Sequence, residues 1–277
     1  MDNLKKYHQY ADELERRVRL KTYPIAIKLL EKKADIPKGA KRPLRDFGYH
    51  LAQCQAFTLT RFEGETIALL KEDEWCFEPV TGYGLAKPPL RFLQGHNRYP
   101  RDVATLKAGA NYASDFPRLE VGKYVGIVSA PLATTTFEPD LIMIYCDSAQ
   151  LALLLLGSEY REGYNLKTAL SSHSACVYSV VPPMQTGGYQ VAIPCRGDRY
   201  HANSSDEEII FTIPRDKLKD VLAGLRHVCT VTPMPSRLPR KRDFEIEYPL
   251  LTVYDELGKR QGLGKKSRAG KRQSRKR

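Results

Sequence analysis

The sequence predicts an α/β or α+β fold, a mixed sheet with helices that is internally duplicated with pseudo-twofold symmetry. Three observations carry this prediction. Strand-like apolar runs alternate with helix-like segments along the chain. Two stretches of chain repeat one order of features. Four of the six cysteines stand at matching places within those stretches, 22 residues apart in one and 19 in the other.

The chain opens with Leu4, Tyr7, Tyr10, Ala11, Leu14 and Val18 at three-to-four spacing, which predicts an amphipathic helix over 3–20. Tyr23-Pro24 ends it, because the residue before proline is pushed out of the helical region. The first copy then begins with a strand over 23–30 (YPIAIKLL). A loop with Pro37, Gly39 and Pro43 follows, then a helix ending near Cys54, a strand over 66–70, and Trp75-Cys76-Phe77. Residues 82–100, dense in Gly, Pro and aromatics, read as an ordered loop of the kind that lines sites. A helix over 103–113 and a strand over 123–130, closed by Pro131, complete the copy.

The second copy starts with a strand over 139–146 (PDLIMIYC). The apolar run 148–156 predicts a helix capped by Ser148 or Asp147, with Gly157 near its end and burial on nearly all sides. Ser174-Ala175-Cys176, a strand over 189–193, Pro194-Cys195-Arg196, a turn over 204–208 and a strand over 209–213 closed by Pro214 repeat the earlier order; 215–227 is the last helix. Two copies are too few for a solenoid, so a duplicated unit closing on itself is expected. The cysteine pairs then lie together across a pseudo-dyad or in two equivalent pockets. The resulting division is an N-terminal helix over 1–22, the copies over 23–138 and 139–232, a Pro-rich basic extension over 233–257, and a tail over 258–277.

A chain of 277 residues can bury a core without disulfide staples, and six cysteines are too sparse for a secreted scaffold. No stretch has the make-up of a signal peptide. The longest apolar run, 151–156, is far short of the roughly 20 residues of a membrane span. A cytoplasmic protein with reduced thiols is expected. The net charge of +12 is concentrated: ten Lys or Arg and no acid lie in 259–277, leaving 12 − 10 = +2 elsewhere. Such a tail is too poor in apolar side chains to order itself. Through Lys265, Lys266, Arg268, Lys271 and Arg272 it offers weak contact to nucleic acid or another polyanion. No aromatic residue interleaves it to stack on bases.

Cys54, Cys76, Cys176 and Cys195 are the candidate site. Four thiolates together suit Zn²⁺ or an iron–sulfur cluster. The absence of a tight CxxC turn leaves two other readings open, a redox dithiol or disulfide and plain core packing. His50 precedes Cys54 by four residues and His173 precedes Cys176 by three, which makes both possible further ligands. In Cys195-Arg196-Gly197-Asp198-Arg199, Arg196 and Arg199 are the candidates for holding an anionic substrate, unless Asp198 pairs with one of them and caps the turn. An exposed Cys195 beside these arginines would be the most acidic thiol. Walker, GxGxxG, HExxH, GxSxG and CxxCH patterns do not occur in the chain.

Pro24-Ile25-Ala26-Ile27, Cys54-Gln55, Cys76, Pro139-Asp140, Ala149-Gln150, Ala175-Cys176, the run 194–199, Glu208 and Ile213-Pro214 resemble the DUF169 family of bacteria and archaea over about 20–225. The resemblance implies that the paired cysteines and the CRGDR segment are typical of the group; the family has no established activity. Cys146 and Cys229 depart from its pattern. The expected function is a metal or sulfur-ligated redox centre on the four cysteines. The alternative is a non-enzymatic protein that binds an unknown small molecule or partner, with a polyanion-binding tail. Removing 258–277 is expected to leave thermal stability unchanged while weakening salt-sensitive retention on heparin; a drop in melting temperature would contradict this.

Overall fold

Every strand-like run becomes a strand because its two faces meet two different apolar layers. A computed structural model of the chain describes residues 2–231. Its strands are β1 (Ile25–Leu30), β2 (Ile67–Leu70), β3 (Gly126–Pro131), β4 (Leu141–Cys146), β5 (Gln190–Ala192) and β6 (Ile209–Pro214). The helices are α1 (Asp2–Val18), α2 (Gln53–Glu63), α3 (Phe77–Gly82), α4 (Leu90–Leu93), α5 (Leu106–Asp115), α6 (Ser148–Glu159), α7 (Ala175–Thr186), α8 (Arg196–His201) and α9 (Leu218–Val231). Alternate strand residues point to opposite sides. Ala26, Leu30, Val128, Ile142, Ile144 and Phe211 pack with α1, α6 and α9 on one side. Ile25, Ile27, Leu69, Ile127, Met143 and Ile210 pack with α2, α5 and α7 on the other. Two buried faces explain why the strands read as continuous apolar runs such as LIMIYC.

The sheet order is β2-β3-β1-β4-β6-β5. All pairings of the named strands are antiparallel, so the fold is α+β and the sheet is not mixed. The order is symmetric about the β1/β4 pair. Exchanging β1 with β4, β2 with β5 and β3 with β6 turns each strand neighbour into another, and the registers follow. Ile25↔Pro131 maps to Leu141↔Pro214, and Ile67↔Ser129 maps to Gln190↔Thr212. The central pair is itself symmetric about Ala26↔Ile142.

Two local expectations are corrected. The helix expected to end near Cys54 instead begins there. Gly48, at φ 77°, closes the turn over Pro43–Phe47, Leu51 bridges to Glu74, and only then does α2 start, with the Gln55 side chain accepting the Ala52 N–H at 3.0 Å. The helix α6 is not buried all round: Leu153 and Leu154 are buried while Leu156 is exposed, since one face packs and the other is open. Asp147 caps α6 by accepting the Gln150 N–H. Among the described residues no helix is long and apolar enough to cross a membrane. The extension over 233–257 and the tail lie outside the described residues.

Gly157, inside α6, meets Gly224 of α9 where the two helices cross. A Cβ at Gly224 would stand 2.4 Å from the Gly157 carbonyl oxygen and 2.7 Å from Tyr160 Cβ. Gly224→Ala is therefore expected to lower stability by roughly 1–3 kcal/mol despite alanine's higher helix propensity, because the helices must separate. Urea denaturation checks this; a raised midpoint would show that the crossing is loose.

Candidate functional site

The two halves of the chain place their cysteines alike. Cys54 and Cys176 are the second residues of α2 and α7, and Cys76 and Cys195 stand immediately before α3 and α8. All four line one cavity of about 240 Å³. Cys146 is elsewhere, buried with its thiol donating to the Ile209 carbonyl at 3.4 Å.

Hydrogen bonds hold these four elements in place. The Thr58 hydroxyl donates to the Ala202 carbonyl at 2.6 Å, joining α2 to the end of α8. The buried Glu74 carboxylate accepts the Gln53 N–H at 3.0 Å and the Cys76 N–H at 3.3 Å, so one oxygen ties both cysteine-bearing segments of the first half. Tyr83 OH donates to the Cys176 carbonyl at 3.0 Å. Asp198 accepts the Cys195 N–H at 3.0 Å, which caps α8. Asp198 thus serves as a cap and does not pair with its flanking arginines.

A polar wall faces the thiols. Arg98 donates to Glu78 at 2.7 Å and to Tyr112 OH at 2.8 Å, and lies 4.3 Å from the Tyr112 ring centre. Ser174 donates to the other Glu78 oxygen at 2.7 Å. His173 has Nε2 3.3 Å from Asp102 and Nδ1 3.0 Å from the Ser172 hydroxyl. Burial, helped by Arg98, lowers the His173 pKa and favours the neutral ring. His50 is exposed, precedes α2, and does not line the cavity. Arg196 lines the cavity, with its guanidinium 5.9 Å from the Tyr200 ring centre. Arg199 lines a neighbouring cavity and donates to the Ser205 carbonyl and to Asp206, both at 2.8 Å. Trp75, Tyr200 and His201 form the solvent-facing rim. Of the Gly-rich loop over 82–100, Arg98 alone reaches this cavity.

The thiols are neutral at ordinary pH. Burial pushes Cys76 up to about 12 and Cys195, with help from the Asp198 charge, up to about 11. Cys54 and Cys176 are pushed higher still, again by burial first. Cys195 is half-buried and not exposed, so the condition for an acidic thiol there is not met: desolvation and the Asp198 charge raise it, although less than the other three. The thiols also feel one another. Ionisation of Cys54 is opposed by Cys76 and Cys195, that of Cys76 by Cys195, and that of Cys176 by the other three. Every pair of the four is therefore close enough to interact. Among the described residues, however, no group of three or more His, Cys, Asp or Glu is arranged to hold a metal ion.

Sequence reasoning found the thiols but missed Gln53, Glu74, Glu78, Arg98, Asp102 and Ser174. Four of these, Gln53, Glu74, Glu78 and Ser174, adjoin a cysteine in sequence or stand two residues from one, and that proximity was the available clue. Arg98 and Asp102 come from an aperiodic loop and carried none.

The model of the DUF169 family, described as "Uncharacterised ArCR", matches residues 13–224, and the chain belongs to this family. It is 24% identical over 206 residues to a protein named "Uncharacterized protein MJ0308" from Methanocaldococcus jannaschii, covering 73% of this chain and 86% of that one. No solved structure matches it.

Burial raises the Glu74 pKa from its ordinary 4.5 to about 8, against the pull of the two N–H groups it accepts. A raised carboxyl contributes its full stability below the unfolded value and loses it as pH climbs through the folded one. Wild-type stability should therefore fall between about pH 5 and 8. Glu74→Gln keeps an acceptor for both N–H groups and should flatten that slope. Urea midpoints across this range test the assignment, and parallel profiles for the two proteins would refute it.

Proposed function

We propose, for this member of the DUF169 family, that the cavity holds a sulfur-ligated metal centre on Cys54, Cys76, Cys176 and Cys195, and that the centre is an iron–sulfur cluster in preference to a single zinc ion. The observation that carries this reading is the meeting of all four cysteines, drawn from four separate elements, at one cavity. A lone Zn²⁺ needs its sulfurs about 2.3 Å from one point, and among the described residues no group of ligands is arranged to hold a metal ion as it stands. A cluster spreads its four cysteine ligands over a larger body. The matching registers of the two half-sheets support treating the halves as copies of one unit, each giving one thiol at the start of a long helix and one just before a short helix.

The helix N-termini at the cavity carry partial positive charge, which favours thiolates. Burial outweighs that pull while the thiols stand alone. Loading must therefore release protons, and it should be more favourable at pH 9 than at pH 7. When bound, a cluster of this type supplies one-electron transfer. The chain's own residues supply the rest: Glu74 fixes the backbone around Cys54 and Cys76, Asp198 fixes that of Cys195, and the Arg98 wall bounds the space beside them.

Anaerobic incubation with ferrous iron and sulfide, followed by iron and sulfide analysis and visible spectroscopy, tests the reading. Wild-type protein and the Cys146→Ser and Cys229→Ser variants should load and colour. Cys54→Ser, Cys76→Ser, Cys176→Ser and Cys195→Ser should each lose most of the bound iron. Equal loading of a protein lacking all four cysteines would reject the proposal, as would a wild type that stays colourless.

A further inference from the structure

The cavity also carries the marks of an organic ligand. Among the described residues, nine buried side-chain polar atoms lack a partner, and three of them, Gln53 Oε1, Asp198 Oδ1 and Arg98 Nε, belong to residues that line this one cavity. Gln53 and Asp198 are 1% and 0% exposed. Leaving a buried acceptor without a donor costs about 1–3 kcal/mol, and native proteins keep few of them. Two such acceptors among the lining residues of one cavity point to a donor supplied from outside the chain.

The cations at the cavity differ in how far they are committed. Arg98 is bound to Glu78, Tyr112 and Asp102, and Arg101 to Asp102. Arg196 has no hydrogen-bond or ion-pair partner among the described residues; its guanidinium stands 5.9 Å from the Tyr200 ring centre. Arg196 and Tyr200 also line the adjoining cavity of about 410 Å³, which places the uncommitted guanidinium between two open spaces. An arginine fork matches a carboxylate in shape and charge. At the rim, Trp75 and Tyr200 are 56% and 73% exposed and present flat apolar faces to whatever enters.

We infer that the cavity binds a small organic acid bearing a hydroxyl or amino group, with its carboxylate on Arg196 and its donor against Asp198 and Gln53, beside the four thiols. This deepens the reading above by naming a ligand class. It rests on that reading for the cavity's being the functional site and not for the metal.

Trp75 is the chain's only tryptophan, so its emission reports on the cavity mouth. Reduced, metal-free protein is titrated with mandelate, with phenylacetate, which lacks the donor, and with mandelamide, which lacks the charge. Mandelate should saturate the signal, and the other two should bind about tenfold or more weakly. Arg196→Gln should bring mandelate down to the level of mandelamide, and Arg196→Lys should recover part of the difference; circular dichroism checks that both variants fold. Equal binding of the three compounds, no saturable response to any of them, or an unchanged ranking in Arg196→Gln would overturn the inference. Iron loading is measured separately. Discrimination without loading sinks the metal reading alone, and loading without discrimination sinks this one alone.

Discussion

The site depends on a buried charge pair that is not itself part of it. Arg61 of α2 is 1% exposed and forms a two-pronged ion pair with Glu208, 147 residues away and immediately before β6. Its guanidinium lies 4.0 Å from the Tyr145 ring centre and 4.3 Å from that of Phe62. Glu208 also accepts the Ser205 N–H at 3.0 Å, which orders the turn after α8. A pair like this is weak evidence for stability, since desolvation offsets much of its attraction; removing one partner, in contrast, strands a charge at a cost of about 3–5 kcal/mol. Its value here is positional. It fixes the helix that carries Cys54 against the turn behind Cys195, and so one half of the chain against the other.

The symmetry of the sheet explains how four distant cysteines reach one cavity without a CxxC turn. β1 and β4 pair about Ala26↔Ile142, so equivalent points in the two halves are brought face to face across that centre. Cysteines at equivalent helix starts then need no local spacing rule. The same geometry accounts for the electrostatics. Thiols gathered at a shared, desolvated place repel one another's ionisation, and their protons leave only when something else takes up the charge.

The strands and the four cysteines were legible in the sequence, because these leave periodic or countable marks. Sequence reasoning misplaced the start of α2, because 43–52 mixes Leu44, Phe47, Tyr49 and Leu51 with charged residues behind a proline, its tight turn is closed by Gly48, and composition alone cannot separate that from a helix. It predicted a mixed sheet because strand direction is set by how connections cross, and no local pattern records it. The polar wall was hidden for a related reason. Arg98 becomes a cavity residue only through Glu78, Tyr112 and Asp102, contacts that tertiary structure creates. Asp198 showed the opposite ambiguity: the sequence reading has it pair with an arginine and cap the turn, and it caps α8 without the pairing, which leaves Arg196 free of its neighbour.

The central claim is that the four thiols act together on one bound centre. Iron-edge anomalous diffraction from anaerobically prepared, iron- and sulfide-treated crystals tests it most directly. The account predicts anomalous density in the cavity, within bonding distance of the sulfurs of Cys54, Cys76, Cys176 and Cys195. Density bound elsewhere, or a cavity whose cysteines are disulfide-linked or facing away with no iron between them, would contradict it.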